Sequence, residues 1–337
     1  MDTIKIIQIG LGPLGQKITK YILERRGLKI AGAVDSAPDK AGRDLGELCS
    51  IDKLGIQISK SLDVAMGNSK PDVALLTTVS DMERITPQIE EILSYKIPIV
   101  STCEELSFPW ETSPELAKRI DEAAKSHNVS VLGTGVNPGF LMDFLPIAMT
   151  GVCQDVKSIK VSRIQDASFR RIPFQKKIGA GLTLEEFENK RKSGTLRHVG
   201  LRESMHMIAS KMGWKLSRTE DILTPVVAEH DIKTDVMKIS KGMARGVQQI
   251  GKGYVNGEQL ITLEFRAAIE EKNPHDTIQI KGTPDITSTI KGGINGDIAT
   301  CAVTINAINS ILNTTPGLKT MANVPVVSFF DSLERIS

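Results

Sequence analysis

Cysteine is scarce in this sequence: four in 337 residues (Cys49, Cys103, Cys153, Cys301), no two of them set as C-x-x-C. That scatter speaks against a disulfide framework and against a thiolate metal cluster, and it fits a reducing, cytoplasmic setting. The five histidines also lack ligand spacing such as H-x-x-x-H, so no metal is expected. An excess of charge is missing too. Forty-two basic residues oppose 40 acidic ones for a net charge of +2, which gives no electrostatic case for nucleic acid or an anionic membrane as partner. No apolar run is long enough to span a bilayer, and the N-terminus lacks a signal-peptide layout. Internal repeats, low-complexity tracts and long linkers are absent as well. What remains is an ordinary globular composition, 40% apolar and 24% charged, in a chain long enough for about two domains.

The informative stretch is the first 35 residues. An apolar run of strand length, Ile4–Ile9, stops at Gly10, and further glycines follow at Gly12 and Gly15. A helical pattern (Leu14, Ile18, Tyr21, Ile22) leads to a second apolar run, Leu28 to Val34. That run ends in Asp35, 20 positions after Gly15. The segment Gly10-Leu11-Gly12-Pro13-Leu14-Gly15 is thus a G-x-G-x-x-G dinucleotide fingerprint in a strand–turn–helix–strand frame. Gly10 makes the tight turn, Gly12 admits the pyrophosphate to the backbone, and Gly15 brings helix and strand together. The helix N-terminus offers free N–H groups and partial positive charge. Asp35, with Ser36 beside it, suits the adenosine ribose. Its carboxylate repels a 2′-phosphate and favours NAD, whereas Lys40 and Arg43 are near enough in sequence to tolerate NADP or simply to be solvated loop charges.

Strand and helix patterns then alternate. Weak strand Ile56–Ile58 precedes Asp72–Thr78, helix Met82–Ser94, strand Pro98–Ser101, helix Ser113–His127 begun by a Ser-Pro cap pair, and strand Val129–Leu132. Alternation of this length predicts a doubly wound parallel sheet, with ligand beyond the carboxyl ends of its strands. Three segments leave strands there: Thr77-Thr78-Val79, Thr102–Glu105 and Gly133–Phe140. They are expected around the nicotinamide half of the cofactor. In the last, Asn137 reads as a helix cap with Pro138 at the first helical position, placing Phe140 and Phe144 on one face.

From Val156 the pattern changes. Lys157–Gln165 reads as a strand, Thr183–Glu186 as a capping box, and Leu201–Met212 as a helix ended by Gly213. Strands Pro225–Lys233, Arg245–Val255, Gln259–Ile269, Thr277–Lys281 and Ile286–Ile290 follow, with Asn256-Gly257 as a hairpin turn. Asp297–Leu312 is an apolar helix, and Val324–Val327 a candidate edge segment. The fold class is therefore α/β: a Rossmann doubly wound parallel sheet plus an α+β second domain with an open, mainly antiparallel sheet. The expected division is 1–140 for the dinucleotide domain, 141–296 for substrate and oligomerisation, and 297–337 for a helix and tail returning to the first domain.

A nicotinamide cofactor makes hydride transfer the default chemistry. A carboxylate desolvated at the carboxyl edge of the sheet can exchange protons with an amine or water. Glu104 is the best placed, directly after Pro98–Ser101; Glu105 is its rival, and sequence alone does not choose.

The fingerprint, the Ser101-Thr102-Cys103-Glu104-Glu105-Leu106 segment and Gly133-Thr134-Gly135-Val136-Asn137-Pro138-Gly139-Phe140 together resemble the 2,4-diaminopentanoate dehydrogenases. These are NAD(P)-dependent amine dehydrogenases within the dihydrodipicolinate reductase-like superfamily. The resemblance extends in layout over nearly the whole chain, Arg197–Ser204 included. It implies oxidative deamination by NAD(P)+, reversible as reductive amination of a ketone with ammonia, and it maps the catalytic carboxylate onto Glu104. Phe140, Phe144 and Phe169 are candidate pocket walls or ordinary core. His198 is a candidate polar lining residue or a loop histidine bonded to backbone. Arg170, Arg171 and Arg197 are candidate anchors for a substrate carboxylate or solvated charges. The His-His and Lys-x-Asp-x-Pro-Ser-Gly-Thr patterns of true dihydrodipicolinate reductases do not occur. Two alternatives stay open: another oxidoreductase of the superfamily, acting on a hydroxy or semialdehyde carbon, and a nucleotide-binding sensor without turnover. A homodimer joined through the second-domain sheet is expected, because an open sheet needs its exposed face covered.

Overall fold

The computed structural model describes residues 3–67, 70–170, 172–196, 198–234 and 237–331. Arg171 and Arg197, two of the three candidate carboxylate anchors, lie outside them. The chain divides into two units, one of residues 1–140 with 296–337 and one of residues 141–295.

In the first unit, strand β1 (Ile4–Ile9) leads through helix α1 (Pro13–Leu23) to β2 (Leu28–Val34). Short elements α2 (Leu45–Leu48), β3 (Ile58–Ser59) and α3 (Leu62–Met66) follow. Next come β4 (Val73–Leu76), α4 (Met82–Ser94), β5 (Ile99–Ser101), α5 (Pro114–Ser126) and β6 (Ser130–Gly133). A last strand from the chain's end, β15 (Gly317–Lys319), completes a sheet of order β15-β6-β5-β4-β1-β2-β3 in which all pairings are parallel. Strands β4, β5 and β6 are buried at every position. Continuous apolar runs covered on both faces are what a parallel sheet demands. Helices α4 and α5 supply Ile85, Ile89, Ala117 and Ile120 to the core on the Ile7 and Ile9 side. The order reverses between β1 and β4, which fixes the crevice where a ligand sits.

The second unit holds α6 (Phe144–Met149), β7 (Asp155–Asp166), α7 (Ile172–Lys177), α8 (Leu184–Lys192) and α9 (Leu201–Met212). Its remaining strands are β8 (Arg218–Val227), β9 (Ile232–Lys233), β10 (Lys238–Ile239), β11 (Ala244–Val255), β12 (Glu258–Ala268), β13 (His275–Thr283) and β14 (Ile286–Lys291). Five of them join β7 in a sheet of order β14-β13-β7-β12-β11-β8, antiparallel except for β7 with β12. Ile159, Val161, Ile261, Leu263 and Phe265 pack on one face against Leu201, Met205 and Ile208 of α9 and Phe187 of α8. Along the other face runs a polar ladder: Glu264 accepts from Ser162 Oγ (3.0 Å) and Gln248 Nε2 (3.0 Å), with Lys160 at 3.7 Å. The capping box at Thr183 and Glu186 forms, and Asn256 and Gly257 take the left-handed φ of 50° and 90° that their hairpin turn needs.

Helix α10 (Gly296–Leu312) belongs, like β15, to the first unit. It buries residues over most of its circumference, among them Cys301, Val303, Ile305, Ile308 and Ile311, and leaves one side with Ile298 and Asn309 exposed.

Three local expectations fail. The segment after Gly133 opens no helix at Asn137. It runs as turns to Asp143, with a cis Asn137–Pro138 bond and Gly139 at φ +122°, outside the right-handed helical region. Helix α6 starts at Phe144, capped by Asp143 Oδ1 accepting from Phe144 N at 2.6 Å. Phe140 therefore lies in the turn, and no helical i,i+4 face joins it to Phe144. The run Pro225–Lys233 splits between the end of β8 and the short β9. The edge strand of the tail is β15, whereas Val324–Val327 has no strand structure.

Candidate active site

The fingerprint turn is held by a buried polar network. Gln8, fully buried in β1, donates from Nε2 to the Gly10 carbonyl (3.1 Å) and to Thr77 Oγ1 (2.9 Å). Thr77 Oγ1 donates to the same Gly10 carbonyl at 2.7 Å. That oxygen is also where α1 comes closest: a Cβ on Gly15 would stand 2.0 Å from it. Gly10, at φ +88°, could bear no Cβ either, since the Thr77 carbonyl oxygen lies 2.7 Å from its place. Over Gly12 there is open space, and α1 begins at Pro13 with no side chain capping its first N–H groups. An uncapped helix N-terminus reached over a bare glycine fits a pyrophosphate. Leu11 departs from this pattern. Its side chain is in the core, and its N–H goes to Asp35 Oδ2 at 2.7 Å.

Beside the turn lies a cavity of about 470 Å³, lined among others by Gly10, Gly12, Asp35, Ser36, Thr77 and Thr78. Asp35 Oδ1 accepts from Ala37 N (2.9 Å), and Oδ2 also takes the Lys40 ammonium at 2.8 Å. Burial works against the charge of Asp35, but the Lys40 ammonium and the two backbone N–H groups outweigh it and hold the carboxyl below its usual range. Thr78 Oγ1 donates to Gln88 Oε1 at 2.7 Å on the same wall. The shape and donor set fit the adenosine half of a dinucleotide.

At the carboxyl edge, β5 ends in a series of hydrogen bonds that orients the Thr102–Ser107 segment. Ser101 Oγ donates to the Leu76 carbonyl (3.0 Å) and accepts from Cys103 N (3.1 Å), while Thr134 N ties β6 to the Ser101 carbonyl (2.8 Å). A single 3-10 turn, Glu105–Ser107, lies against the end of β6, where a Cβ on Gly133 would stand 2.5 Å from the Leu106 carbonyl carbon. The two adjacent glutamates part here. Glu105 Oε2 accepts from Met82 N at 2.9 Å and so caps the N-terminus of α4. Glu104 is half-buried, and its carbonyl accepts from Ser107 N and Oγ at 3.2 and 2.8 Å. Cys103 between them and the strand is buried, which pushes its thiol far up and leaves it no nucleophile.

In the second unit, the His198 ring stacks on Phe265, centroids 4.4 Å apart and planes 17° apart. Gln249, fully buried in β11, accepts from His198 N (2.7 Å) and donates to its carbonyl (3.2 Å) and to both carboxylate oxygens of Asp221 (2.8 and 2.9 Å). Phe174, Lys177, Ile178, Leu196, Val247 and Phe265 enclose with His198 a recess of about 30 Å³. Burial, then the nearby Lys177 and Arg163 charges, push the imidazole down to about 3, so it is neutral at physiological pH. Arg170 stacks on Phe174 (4.1 Å) and donates to Gln165 Oε1 (3.3 Å). Phe169 corrects an expectation: it is 95% exposed, and so walls no cavity of this chain. Among the described residues no group of three or more His, Cys, Asp and Glu side chains could hold a metal ion, and no helix is long and apolar enough to cross a membrane.

Comparison with known proteins places this geometry. The profile of the 2,4-diaminopentanoate dehydrogenase C-terminal domain matches residues 140–335, and that of the dihydrodipicolinate reductase N-terminus matches residues 4–131. A 2,4-diaminopentanoate dehydrogenase of Acetoanaerobium sticklandii is 36% identical over 97% of this chain and 94% of its own. The chain belongs to the 2,4-diaminopentanoate dehydrogenase family. An amine dehydrogenase of Streptomyces virginiae is 20% identical over 96% of both chains. The structure of an amine dehydrogenase from Mycobacterium smegmatis shares the fold, with a TM-score of 0.85 at 19% identity over 99% of both chains.

For a member of the 2,4-diaminopentanoate dehydrogenase family, several supporting residues are hard to foresee from sequence. Gln8 leaves a signal, as the one amide in the apolar run Ile4–Ile9. Lys60, from the loop after β3, and Arg84 and Gln88, one turn apart on α4, reach the adenosine cavity from segments distant from the fingerprint. Gln249, which holds the His198 backbone, and Asp221, which holds Gln249, leave no local signal at all.

Proposed function

We propose that this chain catalyses NAD(P)-dependent oxidative deamination of 2,4-diaminopentanoate to 2-amino-4-oxopentanoate, as a step of amino-acid degradation. The balance is ammonium-bearing carbon, NAD(P)+ and water giving ketone, ammonium, NAD(P)H and one proton. The reverse is reductive amination of the ketone. The observation that carries the proposal is the 36% identity, over almost the full length, to a 2,4-diaminopentanoate dehydrogenase.

The bound cofactor supplies the hydride acceptor. Everything else falls to the chain's own residues. The Gly10–Gly15 turn (Gly10, Leu11, Gly12, Pro13, Leu14, Gly15) and the N–H groups opening α1 would hold the pyrophosphate, Asp35 and Ser36 the adenosine ribose with Thr77 and Thr78 along the same cavity, and Asn137 the nicotinamide side. Glu104 would take the proton from the substrate ammonium, freeing the nitrogen lone pair that drives hydride departure. Once that proton has passed to solvent, its carboxylate would stabilise the cationic iminium, deprotonate the water that adds to its carbon and return that proton to the departing nitrogen. A carboxylate beside a developing cation in a water-poor site is worth several kcal/mol. Glu105 is no competitor in this reading, because its carboxylate is committed to α4. Phe140 and Phe144 are assigned to apolar substrate contacts and His198 to a neutral polar one.

A homodimer formed through the six-stranded sheet belongs to this reading, on the ground that an open sheet presents a face to be covered. Four cysteines outside any disulfide accord with a cytoplasmic location. The test is NAD(P)H formation by the purified protein on an amine panel headed by 2,4-diaminopentanoate, beside the matching hydroxy compounds. Turnover of the hydroxy compounds alone overturns the proposal.

A further inference from the structure

The ribose end of the adenosine cavity carries more charge than a simple NAD site requires. Asp35 Oδ2 already accepts two donors, Leu11 N and Lys40 Nζ, and Oδ1 accepts a third from Ala37 N. A carboxylate meant to receive both ribose hydroxyls would keep its outward lone pairs open; this one gives half of Oδ2 to an ammonium. The pair is only lightly solvated, with Lys40 and Asp35 side chains 21% and 10% exposed. Lys40 lines the same cavity as Ser36 and the exposed Lys60. Arg84 also reaches it but lies 3.7 Å from Asp81, and Arg43 does not line it. A cation held against the carboxylate cancels the repulsion that would otherwise reject a 2′-phosphate, and it is itself a ligand for one.

We propose that Lys40 is the specificity-determining residue of the cofactor site, the group through which a pocket built on Asp35 accepts a 2′-phosphate. With NADP(H), the Lys40 ammonium turns from Asp35 to the 2′-phosphate, joined by Lys60 and the Ser36 hydroxyl. With NAD(H), it stays on Oδ2, and Oδ1 takes a ribose hydroxyl. The inference rests on the dinucleotide reading of the first unit and not on which amine is oxidised.

The experiment is therefore a binding titration, NADH and NADPH fluorescence on the full chain without substrate. Its failure leaves the deamination assay untouched, and the reverse holds too. The wild type is expected to bind the two nucleotides within about tenfold of each other. Lys40→Ala should weaken NADPH by at least about tenfold, the scale of one charge-assisted contact, while NADH binding holds or tightens as Asp35 is released. Lys40→Arg should restore NADPH binding, and Asp35→Asn should shift the preference the other way, toward NADPH. Thermal unfolding of each variant checks that it is folded. A wild-type gap wider than about tenfold in favour of NADH, or equal weakening of both nucleotides in Lys40→Ala, overturns the proposal. The second result would make Lys40 a mere brace of the Asp35 loop.

Discussion

The two units use their buried polar groups for different ends. In the first, Gln8, Thr77 and Asp35 converge on one backbone turn and shape it for a ligand. In the second, the most deeply buried charges hold the fold itself. Arg163 and Asp276, each 2% exposed, face each other at 3.6 Å and both grip Ile294: Arg163 Nη2 donates to its carbonyl (2.9 Å), and its N–H donates to Asp276 Oδ2 (2.7 Å). Burial draws the arginine down to about 10 and pushes the aspartate up. Each partner is thus displaced against its charge, as expected when desolvation exceeds attraction. Polar groups that serve a ligand sit around one short loop; polar groups that serve the fold bridge distant strands.

Breaking that contrast should have its largest effect at Glu104. Glu104→Ala is expected to lower kcat by about 100- to 10,000-fold, the usual range for a general base, while NADH affinity measured by fluorescence stays within error. Next comes the buried pair. Arg163→Ala or Asp276→Ala alone should cost about 3–5 kcal/mol in denaturant unfolding, because each strands a buried charge. The double replacement Arg163→Met with Asp276→Leu should recover most of that loss. If the single changes cost under about 1 kcal/mol, the pair is solvated and the contrast between the units is false.

Gly15→Ala tests the ligand side of the comparison. Its Cβ meets the Gly10 carbonyl at 2.0 Å, so about 1–3 kcal/mol of stability should go, with dinucleotide affinity falling alongside. Glu105→Ala should cost only about 1 kcal/mol, the worth of a helix cap, seen as a lower Tm with turnover retained. A collapse of turnover here would exchange the roles of the two glutamates.

Near neutral pH the smallest effect is a slope in stability against pH. With its pKa down to about 3 from 6.5, native His198 refuses a proton that the unfolded chain accepts. Stability present above pH 6.5 therefore drains as pH falls from 6.5 toward 3. His198→Phe should flatten that acid limb in Tm measured against pH.

The same contrast explains which features are legible in the sequence. The fingerprint is legible because turn, helix start and Asp35 lie within one 35-residue stretch, each with its own local signal. Glu104 is legible as a carboxylate in the loop just past a strand end, but its separation from Glu105 is not, since the donor that engages Glu105 is Met82 N, 23 positions away. The second unit's anchors are farther apart: Arg163 to Ile294 spans 131 positions and His198 to Gln249 spans 51. No short window along the chain holds both partners. Where local signals mislead, a specific conformation overrides them. Asn137-Pro138 reads as a helix start, yet Gly139 at φ +122° turns the chain away. Phe169 has a pocket-like identity, but it stands in solvent.

Helix α10 bears on how the molecule comes to be made. It is apolar around most of its surface and covers the first unit's sheet, yet it lies after 155 intervening residues, Leu141–Asn295. During synthesis the earlier strands of that sheet emerge with one flank bare and must wait for a helix that is still to be translated. A nascent chain halted near residue 140 is therefore expected to be sticky and dependent on chaperones, and that flank of the sheet is covered only once residues 296–312 have been made.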